Sequence, residues 1–141
     1  MNSALLRDTV ALGAITGIRS MAGPATLTFG HGVVPTRVAT LLAAAEMVVD
    51  KTPWIGARTE AVPLAGRAVL GAVVGAVVAH ERGGGRLFGA AIGAAASVAA
   101  AYLATMARRR LASANIAGGL LEDALVVGVG AAYAASRREH A

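Results

Sequence analysis

Four ionisable residues interrupt stretches of the sequence that are otherwise apolar: Arg19, Glu46, Glu122 and Asp123. A charged side chain inside a bilayer costs several kcal/mol unless it is paired or hydrated, so such residues are candidates for a solute pathway or binding site. Glu46 and Asp50 are four residues apart and share one helical face. There, two carboxylates could bind a cation or hold Arg19 in an ion pair. The spacing is compatible with both roles.

Two interpretations of these charges are open. In the structural one, Arg19 neutralises Glu46 or Glu122 and only holds the helices together. In the functional one, the charges form a polar centre that opens when the first helix moves around Gly23 and Pro24, since these residue types break or kink helices. The predicted solute or ion pathway comprises Arg19, Ser20, Glu46, Asp50, Lys51, Glu122 and Asp123.

The composition predicts that these residues belong to an integral membrane protein. The chain has 141 residues, of which 56% are hydrophobic and only 15% are charged, below the charged share of soluble domains. The net charge of +5 could suggest nucleic acid, but most of the thirteen Lys and Arg lie in short groups at the ends of apolar stretches. That placement is typical of membrane flanks. We therefore expect contact with membrane lipids and no nucleic acid.

The apolar stretches predict an all-α bundle of four or five transmembrane helices in one domain, residues 1–141. The clearest is Leu87–Ala107, which contains 21 residues without a charge and matches the length needed to cross the hydrocarbon. Leu64–His80 precedes it across a short glycine-rich turn, so the two form an antiparallel hairpin. Asn115–Ala135 and Thr9–Phe29 carry charges, and Val38–Val49 is either a short span or a re-entrant helix.

Glycines four residues apart recur in three of these segments. The spacing G-x-x-x-G places two glycines on one helical face, where another helix backbone can come close. Three such pairs in three segments favour a compact bundle. The predicted helix-packing glycines are Gly13, Gly17, Gly71, Gly75, Gly89 and Gly93.

A common offset of 76 residues suggests an internal duplication. With five spans, the first and fourth would run in opposite directions, so the halves would form inverted repeats, as in many transporters. The alternative is chance, because helices rich in Ala and Gly match one another easily. The offset relates Gly13 to Gly89, Gly17 to Gly93 and Glu46 to Glu122.

Enzyme chemistry finds little support in the sequence. The chain has no cysteine, which excludes disulfides and thiolate metal sites. His31, His80 and His140 have no second ligand at helical spacing, so we expect no metal site. Hydrolase, zinc-protease and phosphate-loop motifs are missing. We expect neither enzymatic activity nor a cofactor.

Two motifs carry a resemblance: G-x-R-S-x-x-x-P-A at residues 17–25 and E-x-x-x-D-K-x-P at residues 46–53. With them, the chain resembles, over most of its length, an uncharacterised family of bacterial multi-pass membrane proteins, a domain of unknown function. The resemblance implies a membrane location and names no substrate. It also implies a set of signature residues, Arg19, Ser20, Pro24, Glu46, Asp50, Lys51 and Pro53.

These observations lead to one expected function and one alternative. The first is a small transporter or channel-like protein of the bacterial inner membrane, which moves an unidentified ion or small solute and forms a homodimer because few short helices enclose little space. The alternative is a structural or scaffolding membrane protein that binds partner helices through its glycine faces.

Overall fold

The computed structural model describes residues 3–28, 61–110 and 115–138, and within these ranges the chain is helical and contains no strand. The predicted all-α class is therefore confirmed for these residues. The predicted segment Val38–Val49 lies outside them. The helices are α1 (Ser3–Ile18), α2 (Ala22–Thr28), α3 (Ala61–Glu81), α4 (Arg86–Arg110) and α5 (Asn115–Arg138).

The turn between α3 and α4 is a glycine-capped reversal. Gly83 adopts a φ of 71°, a left-handed conformation that glycine tolerates without strain. The Gly84 N–H donates to the Ala79 carbonyl (2.7 Å) and the Gly83 N–H to the His80 carbonyl (3.1 Å), which caps two free carbonyls at the end of α3. Three residues later α4 begins, and the two helices form the antiparallel hairpin that the sequence predicts.

Small residues bring the backbones of α3 and α4 together. A Cβ atom on Gly71 would lie 2.6 Å from the carbonyl oxygen of Gly93, and one on Gly75 would overlap the carbonyl of Gly89. Even an alanine is too large at these positions unless the helices separate. The contact therefore depends on the absence of side chains, as in closely packed membrane helices.

Helix α1 packs on α4 in the parallel direction. Leu5 touches Gly84, a Cβ on Gly13 would lie 2.8 Å from the carbonyl oxygen of Gly93, and one on Gly17 would overlap the backbone of Ser97. Residue numbers rise together along both helices, whereas an inverted repeat requires these two helices to be antiparallel. The inverted-repeat prediction is wrong for this pair. The glycine spacing of α1 matches that of α4 because both helices need small residues on their contact faces.

The chain reverses direction between α1 and α2. A Cβ on Gly23 would overlap Thr16 Oγ1 and lie 3.1 Å from the Leu12 carbonyl oxygen, eleven residues earlier, so α2 folds back along α1. Thr9–Phe29 is therefore not one kinked span, and the break lies at residues 19–21, ahead of Gly23. Pro24 occupies the first turn of α2, where a missing N–H costs no helical hydrogen bond.

Among residues 3–28, 61–110 and 115–138, three helical segments are long and apolar enough to cross a membrane: α3, α4 and Gly119–Ser136 of α5, with 21, 25 and 18 residues. Only 28%, 22% and 22% of their most apolar stretches is buried within the protein. Large side chains such as Val62 and Leu87, 83% and 89% exposed, cover the outside. Such a surface suits lipid. Three helices of this kind are compatible with a membrane protein. A bundle of four or five transmembrane helices remains a prediction.

The first prediction concerns the α3–α4 contact. Gly75→Ala should lower the free energy of unfolding by about 1–3 kcal/mol because the new methyl group overlaps Gly89. Gly66→Ala is the matched control, since nothing lies within 4 Å of that position on the same helix. It should be neutral or stabilise by roughly 0.5–1 kcal/mol. Unfolding in detergent, followed by helical circular dichroism, measures both, and equal effects would contradict the packing.

A second prediction concerns a buried hydroxyl. Thr9 is 1% exposed, and its Oγ1 makes no hydrogen bond within the described residues, whereas Thr16 Oγ1 donates to the Leu12 carbonyl (2.7 Å). Thr9→Val should therefore raise the free energy of unfolding by about 1 kcal/mol, and Thr16→Val should lower it. The same unfolding measurement tests both, and loss of stability on Thr9→Val would refute the assignment.

Candidate functional site

The turn between α1 and α2 places Arg19 inside the bundle. The Arg19 N–H still donates to the Ile15 carbonyl (2.8 Å), and the Ala22 N–H donates to the Arg19 carbonyl (3.0 Å). Because the chain reverses within three residues, the Arg19 side chain does not leave the interior and is only 2% exposed. A guanidinium in these surroundings needs charged or hydrogen-bonding partners.

Asp123 of α5 provides one such partner. Nη2 and Nε of Arg19 donate to the same oxygen, Oδ1 of Asp123, over 2.7 Å and 3.1 Å. The Asp123 side chain is 20% exposed, and within the described residues its second oxygen, Oδ2, accepts no hydrogen bond. The pair thus ties the α1–α2 turn to α5 and leaves one carboxylate oxygen for a further donor.

Glu122, the adjacent residue, pairs with a different arginine. Its two oxygens accept from Nε and Nη2 of Arg108 over 2.8 Å and 2.7 Å, the bidentate geometry typical of Arg and carboxylate. The sequence interpretation expects Arg19 to neutralise Glu46 or Glu122. Glu46 lies outside the described residues, and of the two adjacent carboxylates of α5 it is Asp123 that pairs with Arg19. The reason is geometric, since consecutive helical residues point about 100° apart and so face different neighbours.

A second buried arginine lies near the middle of the bundle. Ser97 Oγ donates to the carbonyl oxygen of Arg67 over 2.9 Å, and the two residues are 0% and 5% exposed. Ser97 is the twelfth of the 25 residues of α4, which places it about 16 Å from the start of that helix. The backbone of Gly17 meets the same serine. Arg67, Ser97 and the end of α1 therefore lie at similar height.

A third group of charges lies at the other end of α1. Asp8 is buried and accepts from two arginines, Arg82 (2.6 Å) and Arg7 (3.0 Å). This group joins α1 to the end of α3. Its position beside the α3–α4 turn separates it from Arg19, which lies at the opposite end of α1.

The structure brings together some of the predicted site residues. Arg19 and Asp123 are in contact, Glu122 precedes Asp123 in sequence but binds Arg108, and Ser20 forms part of the α1–α2 turn. Gly23 and Pro24, the predicted hinge, lie in the first turn of α2. Three predicted residues, Glu46, Asp50 and Lys51, fall outside the described residues.

Sequence reasoning missed four charged residues that are now seen at interior positions or in interior pairs: Asp8, Arg67, Arg82 and Arg108. It treated them as flanks of apolar stretches. One signal was available for Asp8, because it lies at helical spacing from Leu12 and Ile15, which are buried on the same side of α1. The arginines give no such signal, since their long side chains can reach inward or outward from the same backbone position.

A third prediction tests the central ion pair. Asp123→Asn removes the carboxylate charge to which Nη2 and Nε of the buried Arg19 donate and should destabilise the protein by about 3–5 kcal/mol. Glu122→Gln is the matched control on the neighbouring residue, and it should cost less because its partner Arg108 is 35% exposed and can turn toward water. Detergent unfolding compares the two. A larger effect of Glu122→Gln would show that the Arg19 pair is not the principal one.

The chain was compared with protein-family models, with curated proteins and with solved structures, and none of them matches it.

Proposed function

We propose that the chain is a multi-pass protein of the bacterial inner membrane that moves an ion or small solute through a polar centre beside the α1–α2 turn. The observation that supports this most is the reversal of the chain inside the bundle with the charged side chain of Arg19 at its tip. On this proposal the protein performs no covalent chemistry and acts as a transporter or channel.

Broken helices favour this function for a physical reason. Non-helical backbone is tolerated within a membrane only where protein covers it or where it lines a polar cavity. Transporters use such interruptions to present backbone groups and charges to a solute near the midplane. Here the interruption at residues 19–21 begins with Arg19, and the motif that resembles the uncharacterised family spans the same turn, from Gly17 to Ala25. Membership of that family remains part of the proposal.

The Arg19–Asp123 pair offers a way for a solute to enter. Arg19 is almost fully buried while Asp123 is partly exposed, so a solute reaches the pair from the side of Asp123. Oδ2 of Asp123 can accept a donor or bind a cation without loss of the two bonds at Oδ1. A solute that replaces one partner of this ion pair would also shift the equilibrium between two arrangements of the helices. Binding would in this way be coupled to movement of α1 and α2.

The scaffolding alternative receives less support from the glycine contacts. Gly71 and Gly75 of α3 face Gly89 and Gly93 of α4 within one chain. These faces are therefore covered by the protein's own helices and offer no surface to a partner helix. A homodimer remains part of the proposal and would use other surfaces.

The proposed movement of α2 can be tested by flux. Gly23→Ala places a methyl group on Thr16 Oγ1 and should displace α2 from α1, which we expect to change flux by about tenfold. The double variant Gly23→Ala with Thr16→Ala removes the overlapping hydroxyl and should restore most of the original rate. The measurement is the release of K⁺, Cl⁻ and protons from liposomes that contain the purified chain, followed with ion-selective dyes.

Controls separate this effect from general damage. Gly66→Ala, at an open position on α3, should leave flux unchanged. Each variant is first checked for an unchanged elution volume and helical circular dichroism. Absence of flux for all three ions in the unmodified chain would count against a channel for these ions, and flux unaffected by Gly23→Ala would count against a role for α2.

A further inference from the structure

The end of the bundle at the α3–α4 turn carries a basic cluster, which we define as Arg7, His80, Arg82 and Arg86. Arg7 and Arg82 meet at Asp8, which accepts Nε of Arg7 and Nη2 of Arg82. Arg86 follows the turn and approaches His80, with 3.0 Å between Nη2 and Nε2. Four basic side chains from α1, the turn, α3 and α4 therefore lie at one end.

The charges in this cluster are not balanced. A guanidinium can only donate hydrogen bonds, so Arg86 is the donor in its contact with Nε2 of His80. Arg86 thus contacts a histidine and not a carboxylate, while Arg7 and Arg82 share the single carboxylate of Asp8. The nearby Glu81 faces α5, where Tyr133 Oη donates to it over 3.3 Å.

Access to the cluster is open. The Arg7 side chain is 68% exposed, and Arg86 and His80 are exposed as well. The cluster therefore presents two accessible guanidinium groups whose charge exceeds that of the carboxylate beside them.

An apolar surface begins directly next to these cations. Leu87 and Phe88 follow Arg86 in α4 and are 89% and 50% exposed. On α3, Val77 and Val73 are exposed one and two turns before the capped end. A ligand that suits this surface has an anionic group that is small enough for two arginines to bind together. It also carries apolar chains that run along the helices.

We propose that the basic cluster binds the phosphate headgroup of an anionic phospholipid, whose acyl chains lie along Leu87 and Phe88. Arg86 and Arg7 donate to the phosphate oxygens, and His80 positions the Arg86 guanidinium through its ring nitrogen. This inference does not depend on the proposed transport function, because it uses only the α3–α4 turn and the start of α1.

The test is lipid competition on the purified full chain. The protein in detergent receives equal amounts of phosphatidylglycerol and phosphatidylcholine with the same acyl chains, and native mass spectrometry counts the bound lipids. We expect a preference for phosphatidylglycerol of about threefold to tenfold. Arg7→Gln combined with Arg86→Gln should reduce it to near equality, while Arg86→Lys alone should retain most of it because the charge is preserved.

The matched control changes the other end of α4. Arg109→Gln combined with Arg110→Gln removes the same charge from exposed positions outside the cluster and should keep the preference. Equal loss in both double variants would assign the preference to net charge and overturn the proposal. So would an unchanged preference in the cluster variant, or release of the bound lipid by inorganic phosphate, which would point to a free anion as the ligand.

Discussion

One face of α4 sets the position of its neighbours. Gly89 and Gly93 meet the backbone of α3, while Gly93 and Ser97 meet the backbone of α1. Because two helices contact one narrow face, the separation of all three is limited by backbone atoms and not by side chains. Dispersion contacts at such short separation stabilise helices in lipid, where the hydrophobic effect gives no preference for helix over lipid tail. The depth of Arg19 and Arg67 follows from this contact.

Several charged residues are buried in the protein, although many large apolar side chains are exposed. Arg19, Arg67, Asp8 and Glu122 are buried, while valine and leucine cover much of the outside. The short helix α2 lies within this arrangement, and its Thr26 hydroxyl donates to the Ala22 carbonyl over 2.8 Å. Buried charges are tolerated because ion pairs link them across helices, so α5 is held by ion pairs at positions where it packs less closely than α3 does.

The sequence was informative where one physical rule dominates. Apolar length and the glycine-rich turn predicted the α3–α4 hairpin, and the interruption of a span by Arg19 marked an interior charge. It was less informative about the direction in which the chain continues after α1. Gly23 and Pro24 predicted a kink, yet a full reversal depends on the contact between Gly23 and Thr16 in three dimensions. The choice between Glu122 and Asp123 as the partner of Arg19 likewise depends on the rotation of α5 about its axis, which local patterns do not fix.

The distance in sequence between Arg19 and Asp123 has a consequence for biosynthesis. The two residues are 104 positions apart, and at cellular rates of synthesis the ribosome needs on the order of 5–20 s to cover that interval. During this time α3 and α4 have already been synthesised, while the guanidinium of Arg19 still lacks this carboxylate. The ion pair at the α1–α2 turn can therefore form only after α5 has been synthesised. A chain truncated before α5 would therefore lack the carboxylate of Asp123 and, with it, the ion pair that ties the α1–α2 turn to α5.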